Sequence, residues 1–304
     1  MHNFLALDKF FARYAAPLQL QWQLGEAHAS AQRLAVTTPP RPWIHYARLS
    51  ASPCIHVVTP DHRTRLPALI EQWQAQPALA PTLLILTEGL TLTDTLLTAH
   101  SPIPAMMTSQ AASHALIRTL SYELATTLST CSSEHGVFMS IRGVGVLLRG
   151  RSGIGKSELA LALIQRGHQL IVDDAPLFYR SGNARLSGVC PSVLADFLEV
   201  RDLGILNIRR QYGDAALAPC QELDLIIELT ESKQFEPRRL TPLQNCRTMG
   251  DIEVMHVQLS VKPGRDLPLL VEALVGLHQL QQAGYCASDD FINRQQQMIE
   301  QQLA

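Results

Sequence analysis

Eight residues, Gly150-Arg151-Ser152-Gly153-Ile154-Gly155-Lys156-Ser157, fit the pattern G-x-x-x-x-G-K-[ST] in full. Glycine in such a loop lets the backbone turn until successive N–H groups point inward at phosphate oxygens. The residues that follow, KSELALALIQ, read as an apolar helix, whose N-terminus adds a positive dipole end at the same place. Lys156 can then reach the outer phosphates of a nucleotide, and the Ser157 hydroxyl can bind magnesium. The apolar run HQLIVDD ends on two carboxylates, Asp173 and Asp174. An acid ending a strand after a phosphate loop commonly serves the magnesium or its water. Neighbouring residues on a strand face opposite sides, so at most one of the pair is expected to face the nucleotide.

The loop names a nucleotide, not an acceptor. No N-K-x-D is present to read guanine, which counts against a GTPase. RLSGVC at 185–190 begins like an ABC transporter signature but lacks the Gly-Gln that completes it. A small-molecule kinase and a nucleotide-sensing regulatory protein without useful chemistry both stay open at this point.

These residues need elements to hold them. Two β-like runs, VFMSI (137–141) and GVGVLLRG (143–150), precede the helix, and HQLIVDD (168–174) follows it, so strand, loop, helix and strand form a βαβ-like unit. Upstream, CIHVVT (54–59), TLLILT (82–87) and IPAMMTS (103–109) read as strands, and LPALIEQWQAQ (66–76) as a helix. In 111–128 a leucine recurs every fourth residue at Leu116, Leu120, Leu124 and Leu128, marking the core face of another helix. The polar stretch STCSSEHG (129–136) divides the two patterned regions and predicts an N-terminal α/β domain over 1–130 and a second domain over 131–304. The Gln-rich end, FINRQQQMIEQQLA (291–304), spaces its apolar residues for a helix, either packed or in contact with another copy.

Composition limits the classes. The 304 residues are 46% apolar and 17% charged, as in a globular chain. A net charge of -2 argues against a nucleic-acid-coating surface. The six cysteines lie far apart with no CxxC pair, which disfavours a zinc site and fits a reducing cytoplasm. The start, MHNFLALDKFFARY, lacks the features of a signal peptide, and no apolar run nears the roughly 20 residues that span a bilayer. A cytoplasmic protein without a membrane partner is the expectation.

Two further stretches, LEVRDLGILNIRRQYG (198–213) and VKPGRDLPLLVEAL (261–274), narrow the acceptor. Together with residues 135–175 they resemble the HPr kinase/phosphorylase family, over most of residues 130–275. The N-terminal part resembles it only in length and α/β pattern. The resemblance implies a P-loop-containing α/β kinase domain with a carboxykinase-type nucleotide-binding core. It implies ATP and Mg2+, phosphorylation of a seryl residue on the phosphocarrier protein HPr, and its removal by inorganic phosphate with release of pyrophosphate. It also implies a homohexamer. Residue by residue, His135 matches the family's catalytic histidine, and Lys156 and Ser157 its loop lysine and magnesium-binding serine. Asp174 matches the aspartate that takes the acceptor's proton and returns one in the reverse direction. Glu199 matches a second magnesium ligand, and SVKPGR (260–265), with Arg265, a segment tied to dephosphorylation. The family's catalytic arginine sits in D-R-L-G. Its nearest counterpart is Arg239 in PRRLT, without the Asp and the Gly and with Arg238 beside it. Asp202 stands where the family often has glycine, and a local backbone adjustment is expected there.

Overall fold

The structure is a computed structural model that describes residues 4–35, 41–42, 55–77, 80–90, 103–128, 131–181, 185–231 and 245–303. It divides into two compact units, Met1–Ser132 with Phe178–Arg185, and Ser133–Leu177 with Leu186–Ala304. It is a mixed α/β structure of sheets and helices.

In the first unit, strands Arg41–Pro42, Ile55–Val58, Leu83–Leu86 and Met106–Ser109 run parallel in that spatial order, and Leu20–Leu24 pairs antiparallel with the last. Every residue of Leu83–Leu86 is buried, as expected for a strand covered on both faces. Helices Leu66–Ala75 and Ser113–Leu128 occupy the two stretches predicted to be helical. Leu116, Leu120 and Leu124 are buried, so the leucine stripe faces the core.

The second unit holds the phosphate-loop motif. Strand β1 (Val137–Ile141) and strand β2 (Val144–Arg149) form a hairpin whose turn residues, Arg142 and Gly143, have φ of 52° and 79°. Positive φ at both positions matches the strand twist in a two-residue turn. Helix α1 (Lys156–Gln165) follows, then strand β3 (Gln169–Val172). The βαβ-like reading needs one amendment. β1 lies between β2 and β3 and pairs antiparallel with each, so β2 and β3 run parallel without touching. The tight turn after Ile141 folds β1 back beside β2 before the crossover begins.

Strand β4 (Phe197–Val200) and strand β5 (Gly204–Asn207) form a separate two-stranded hairpin. Strand β6 (Leu225–Thr230) pairs parallel with β2, strand β7 (Cys246–Met249) forms the edge, and strand β8 (Ile252–Ser260) joins the two. Helix α2 (Leu267–Gln282) starts at Asp266, whose side chain accepts from the Leu269 N–H, and helix α3 (Ala287–Leu303) ends the described chain. On α3, Phe291, Met298 and Ile299 are exposed.

A hydrophobic core cluster joins the sheet to its helices. Val146 and Leu148 of β2, Leu159 and Leu163 of α1, Ile227 of β6 and Val271 of α2 belong to it. Each fully buried Leu or Ile stabilises the fold by roughly 1.5–3 kcal/mol. Leu198 and Val200 of β4 enter the same core, so the alternation of a strand turns Glu199 outward between them. Among the described residues, no helix is long and apolar enough to cross a membrane.

Candidate active site

The phosphate loop leaves β2 through Gly150, where φ is 141° and a Cβ would stand 2.7 Å from the Leu229 carbonyl oxygen of β6. Only glycine brings the chain that close to the neighbouring strand. Lys156 begins α1 and bends back over the loop, its Nζ donating to the carbonyls of Gly150 and Arg151 at 3.1 and 3.2 Å. Arg151 pairs with Glu231 just beyond β6.

A cavity of about 550 Å3 opens beside the loop. Its lining comprises His135, Ser152, Gly153, Gly155, Lys156, Ser157, Glu158, Asp173, Asp174, Glu199 and Arg201. Of the expected site residues, His135, Lys156, Ser157, Asp174 and Glu199 thus share one cavity, although they come from distant parts of the chain. Of the loop, Gly150, Arg151 and Ile154 do not line it. Ile154 is buried in the core and anchors the loop from below. Arg239 and its neighbour Arg238 lie outside the described residues. In the segment 260–265, Arg265 donates to the Ser260 carbonyl at 3.4 Å and does not line the cavity.

Strand alternation put at most one of Asp173 and Asp174 on the nucleotide side, yet both line the cavity. β3 ends at Val172, and Asp174 and Ala175 take left-handed φ of 56° and 49°. Strict alternation therefore stops before the acids, and both reach the cavity. Such a conformation costs energy in a residue with a Cβ. Asp174 offsets part of it, because its Oδ1 accepts from the Ala175 N–H at 3.0 Å.

The two acids differ in setting. Asp173 is half-buried, accepts from the Glu199 N–H at 2.8 Å through Oδ2, and lies 3.4 Å from the Ser157 hydroxyl through Oδ1. Burial pushes its pKa up, and the charges of Asp174 and Glu199 push the same way. The bonds from Glu199 N–H and Ser157 oppose the rise. Asp174 is exposed, and its Oδ1 lies 2.5 Å from His135 Nδ1.

His135 is held by what surrounds it. The next residue, Gly136, has φ 150°, and a Cβ there would stand 2.4 Å from the Leu148 carbonyl oxygen. The Glu134 N–H donates to the Pro176 carbonyl at 3.2 Å, which runs the segment alongside the Asp174 turn. Asp202 takes φ 67°, in the left-handed region that glycine adopts without cost. Arg209 closes the base of the β4–β5 hairpin, donating to both oxygens of Asp196 at 2.8 and 2.9 Å.

Ser157, Asp173 and Glu199 offer hydroxyl and carboxylate oxygens, the donors a hard divalent cation takes, and a cation there would offset the burial and the negative neighbours that raise Asp173. Lys156 and Arg201 supply positive charge for phosphate oxygens. Sequence reasoning raised Asp173 only as the alternative to Asp174, and it passed over Glu158 and Arg201. Arg201 had a usable signal, since it stands two positions after Glu199 and shares its outward side.

Residues 126–295 match the family described as HPr Serine kinase C-terminal domain. The chain is 42% identical over 205 residues to the HPr kinase/phosphorylase of Xylella fastidiosa (strain M12), covering 66% of this chain and 65% of the relative. It is 44% identical over 192 residues to that of Xanthomonas campestris pv. campestris (strain B100), covering 62% and 60%. The match therefore spans just under two thirds of these relatives' length. A solved Hpr(Ser) kinase/phosphatase from Coxiella burnetii is 37% identical, covers 53% of this chain and 98% of its own, and superposes with a TM-score of 0.48. The family match takes in more than half of the chain and the cavity with it: this chain belongs to the HPr Serine kinase C-terminal domain family.

Proposed function

We propose that the chain transfers the terminal phosphoryl group of ATP to a seryl hydroxyl of HPr and removes it again with inorganic phosphate, releasing pyrophosphate. The observation that carries this reading is the His135–Asp174 pair, which opens on the same cavity as Lys156 and Ser157. A binding protein has no use for a carboxylate oriented by a histidine beside a phosphate cradle. The family match and the relatives named HPr kinase/phosphorylase supply the acceptor.

A seryl hydroxyl is a weak nucleophile at neutral pH and gains from a base within hydrogen-bond reach. Asp174 Oδ1 lies against the His135 ring and accepts from the Ala175 N–H, so Oδ2 is left to take the serine proton as its oxygen attacks phosphorus. Lys156 and the loop N–H groups offset charge on the transferred group. Ser157, Asp173 and Glu199 would hold Mg2+. When bound, that ion neutralises phosphate charge and aligns the phosphates. In reverse, an inorganic phosphate oxygen attacks the phosphoserine phosphorus, the bond from phosphorus to the serine oxygen breaks, and Asp174 returns its proton to that oxygen. Serine and pyrophosphate result.

In this reading residues 131–304 form the catalytic domain, a P-loop kinase core of the carboxykinase type, and 1–130 an N-terminal α/β domain. The protein works in the cytoplasm as a homohexamer. Arg239 serves as the catalytic arginine. Incubating the purified chain with ATP, Mg2+ and HPr tests the activity. Phosphoserine on HPr is expected, and adding excess phosphate should release pyrophosphate. Transfer only to a small metabolite, or no transfer, refutes it.

A further inference from the structure

Arg149, the last residue of β2, lies between two carboxylates. Its Nη1 donates to Glu134 Oε2 at 2.8 Å, and its Nε lies 3.7 Å from Glu228 Oε2 on β6. All three side chains are largely covered, Arg149 being 17% exposed. A fourth group closes the cluster. His256 Nε2 lies 3.9 Å from the same Glu228 oxygen, buried and without a hydrogen-bond partner among the described residues. Burial lowers the His256 pKa, Glu228 opposes that, and Arg247 and Arg149 lower it further. Arg149 is the cation that touches both Glu134 and Glu228.

Glu134 immediately precedes His135. The hairpin register pairs Leu148 with Val137. One further step puts Arg149 opposite Gly136, so the guanidinium lies alongside the segment that delivers His135. The same residue also leads directly into Gly150 and the phosphate loop.

We propose that Arg149 is a positioning residue: by gripping Glu134 it fixes His135 against Asp174, and so sets the orientation of the base relative to the loop it also introduces. This rests on the kinase reading of the site. Arg149 does not line the cavity. Its effect therefore falls on the chemical step and not on nucleotide binding. Without the guanidinium, two poorly solvated carboxylates face each other unpaired, and Glu134 moves outward with His135 behind it. Lysine keeps the charge but cannot fork between two partners.

The test uses the full chain as wild type, Arg149→Gln, Arg149→Lys and Glu134→Ala, each checked for a cooperative thermal melt. ATP affinity is measured by calorimetry, and kcat as phosphoserine formed on HPr at saturating ATP. The proposal expects Arg149→Gln to lower kcat about tenfold with ATP affinity kept within about twofold, and Arg149→Lys to fall between. Glu134→Ala should repeat the split from the other side of the clamp, and it decides the matter if Arg149→Gln does not fold. An unchanged kcat, or ATP affinity falling in step with kcat, overturns the proposal. A crystal structure of Arg149→Gln, or of Glu134→Ala, separates this result from the fate of the kinase reading. If wild type makes no phosphoserine, that reading fails, yet the structure still decides the positioning. A His135 ring swung away from Asp174 supports it, and an unmoved pair overturns it.

Discussion

The backbone N–H of Glu199 donates to the carboxylate of Asp173 at 2.8 Å. This one bond ties the β4–β5 hairpin to the end of β3, and Asp173 reaches on to Ser157 at the head of α1. Three segments far apart in sequence thereby meet around one set of oxygen donors. Asp173 is the joint between them, and burial together with its acidic neighbours raises its pKa.

If Asp173 helps hold the cation, Asp173→Asn keeps the shape and loses the charge. The magnesium concentration for half-maximal phosphoryl transfer should rise at least tenfold, with little change in thermal stability. A magnesium titration of the transfer rate measures this. An unaltered titration would remove Asp173 from the ion's surroundings.

The loop's departure from β2 depends on glycine. In Gly150→Ala the new Cβ meets the Leu229 carbonyl at 2.7 Å, on a backbone with φ 141°. The strain should cost about 1–3 kcal/mol of stability and disturb the carbonyl that receives Lys156. Urea unfolding and ATP calorimetry should show both losses together. A variant as stable and as tight-binding as wild type would contradict the close approach.

How much of this could be read from the sequence follows from the range of each interaction. The phosphate loop and its helix were legible because glycine spacing and the apolar run after Lys156 are local signals. Three first-unit strands, Ile55–Val58, Leu83–Leu86 and Met106–Ser109, and the helices Leu66–Ala75 and Ser113–Leu128 were legible through composition and period, whereas the strand Leu20–Leu24 and the helix Leu7–Tyr14 were not read. The position of β1 between β2 and β3 was not, because ladder partners are chosen by tertiary pairing and turn geometry. The shared orientation of Asp173 and Asp174 was hidden by a left-handed turn that a carboxylate sequence does not announce. The Arg149–Glu134 pair was equally invisible, since two charges fifteen residues apart become neighbours only once the hairpin forms.

Stability should fall on mild acidification. His278 on α2 is buried against Met255, and burial lowers its pKa, as it does that of His256. Unfolded, both rings take up a proton near the ordinary histidine value of about 6.5. Folded, they do so only at lower pH. The unfolded state therefore binds more protons in that window, and stability rises with pH through it and is lost as pH drops. The urea midpoint should be lower at pH 5.5 than at pH 7.5, with His278→Leu reducing the difference. Equal midpoints at the two pH values would place these rings in contact with water.

The central claim is that Asp174, oriented by His135 beside the phosphate loop, accepts the serine proton. Its most direct test is the single-turnover rate of phosphoserine formation on HPr by Asp174→Asn, alongside the ATP affinity of the same protein. The account predicts a rate lower by about 10²–10⁴-fold with ATP bound as tightly as in wild type. A rate within a few fold of wild type would contradict it.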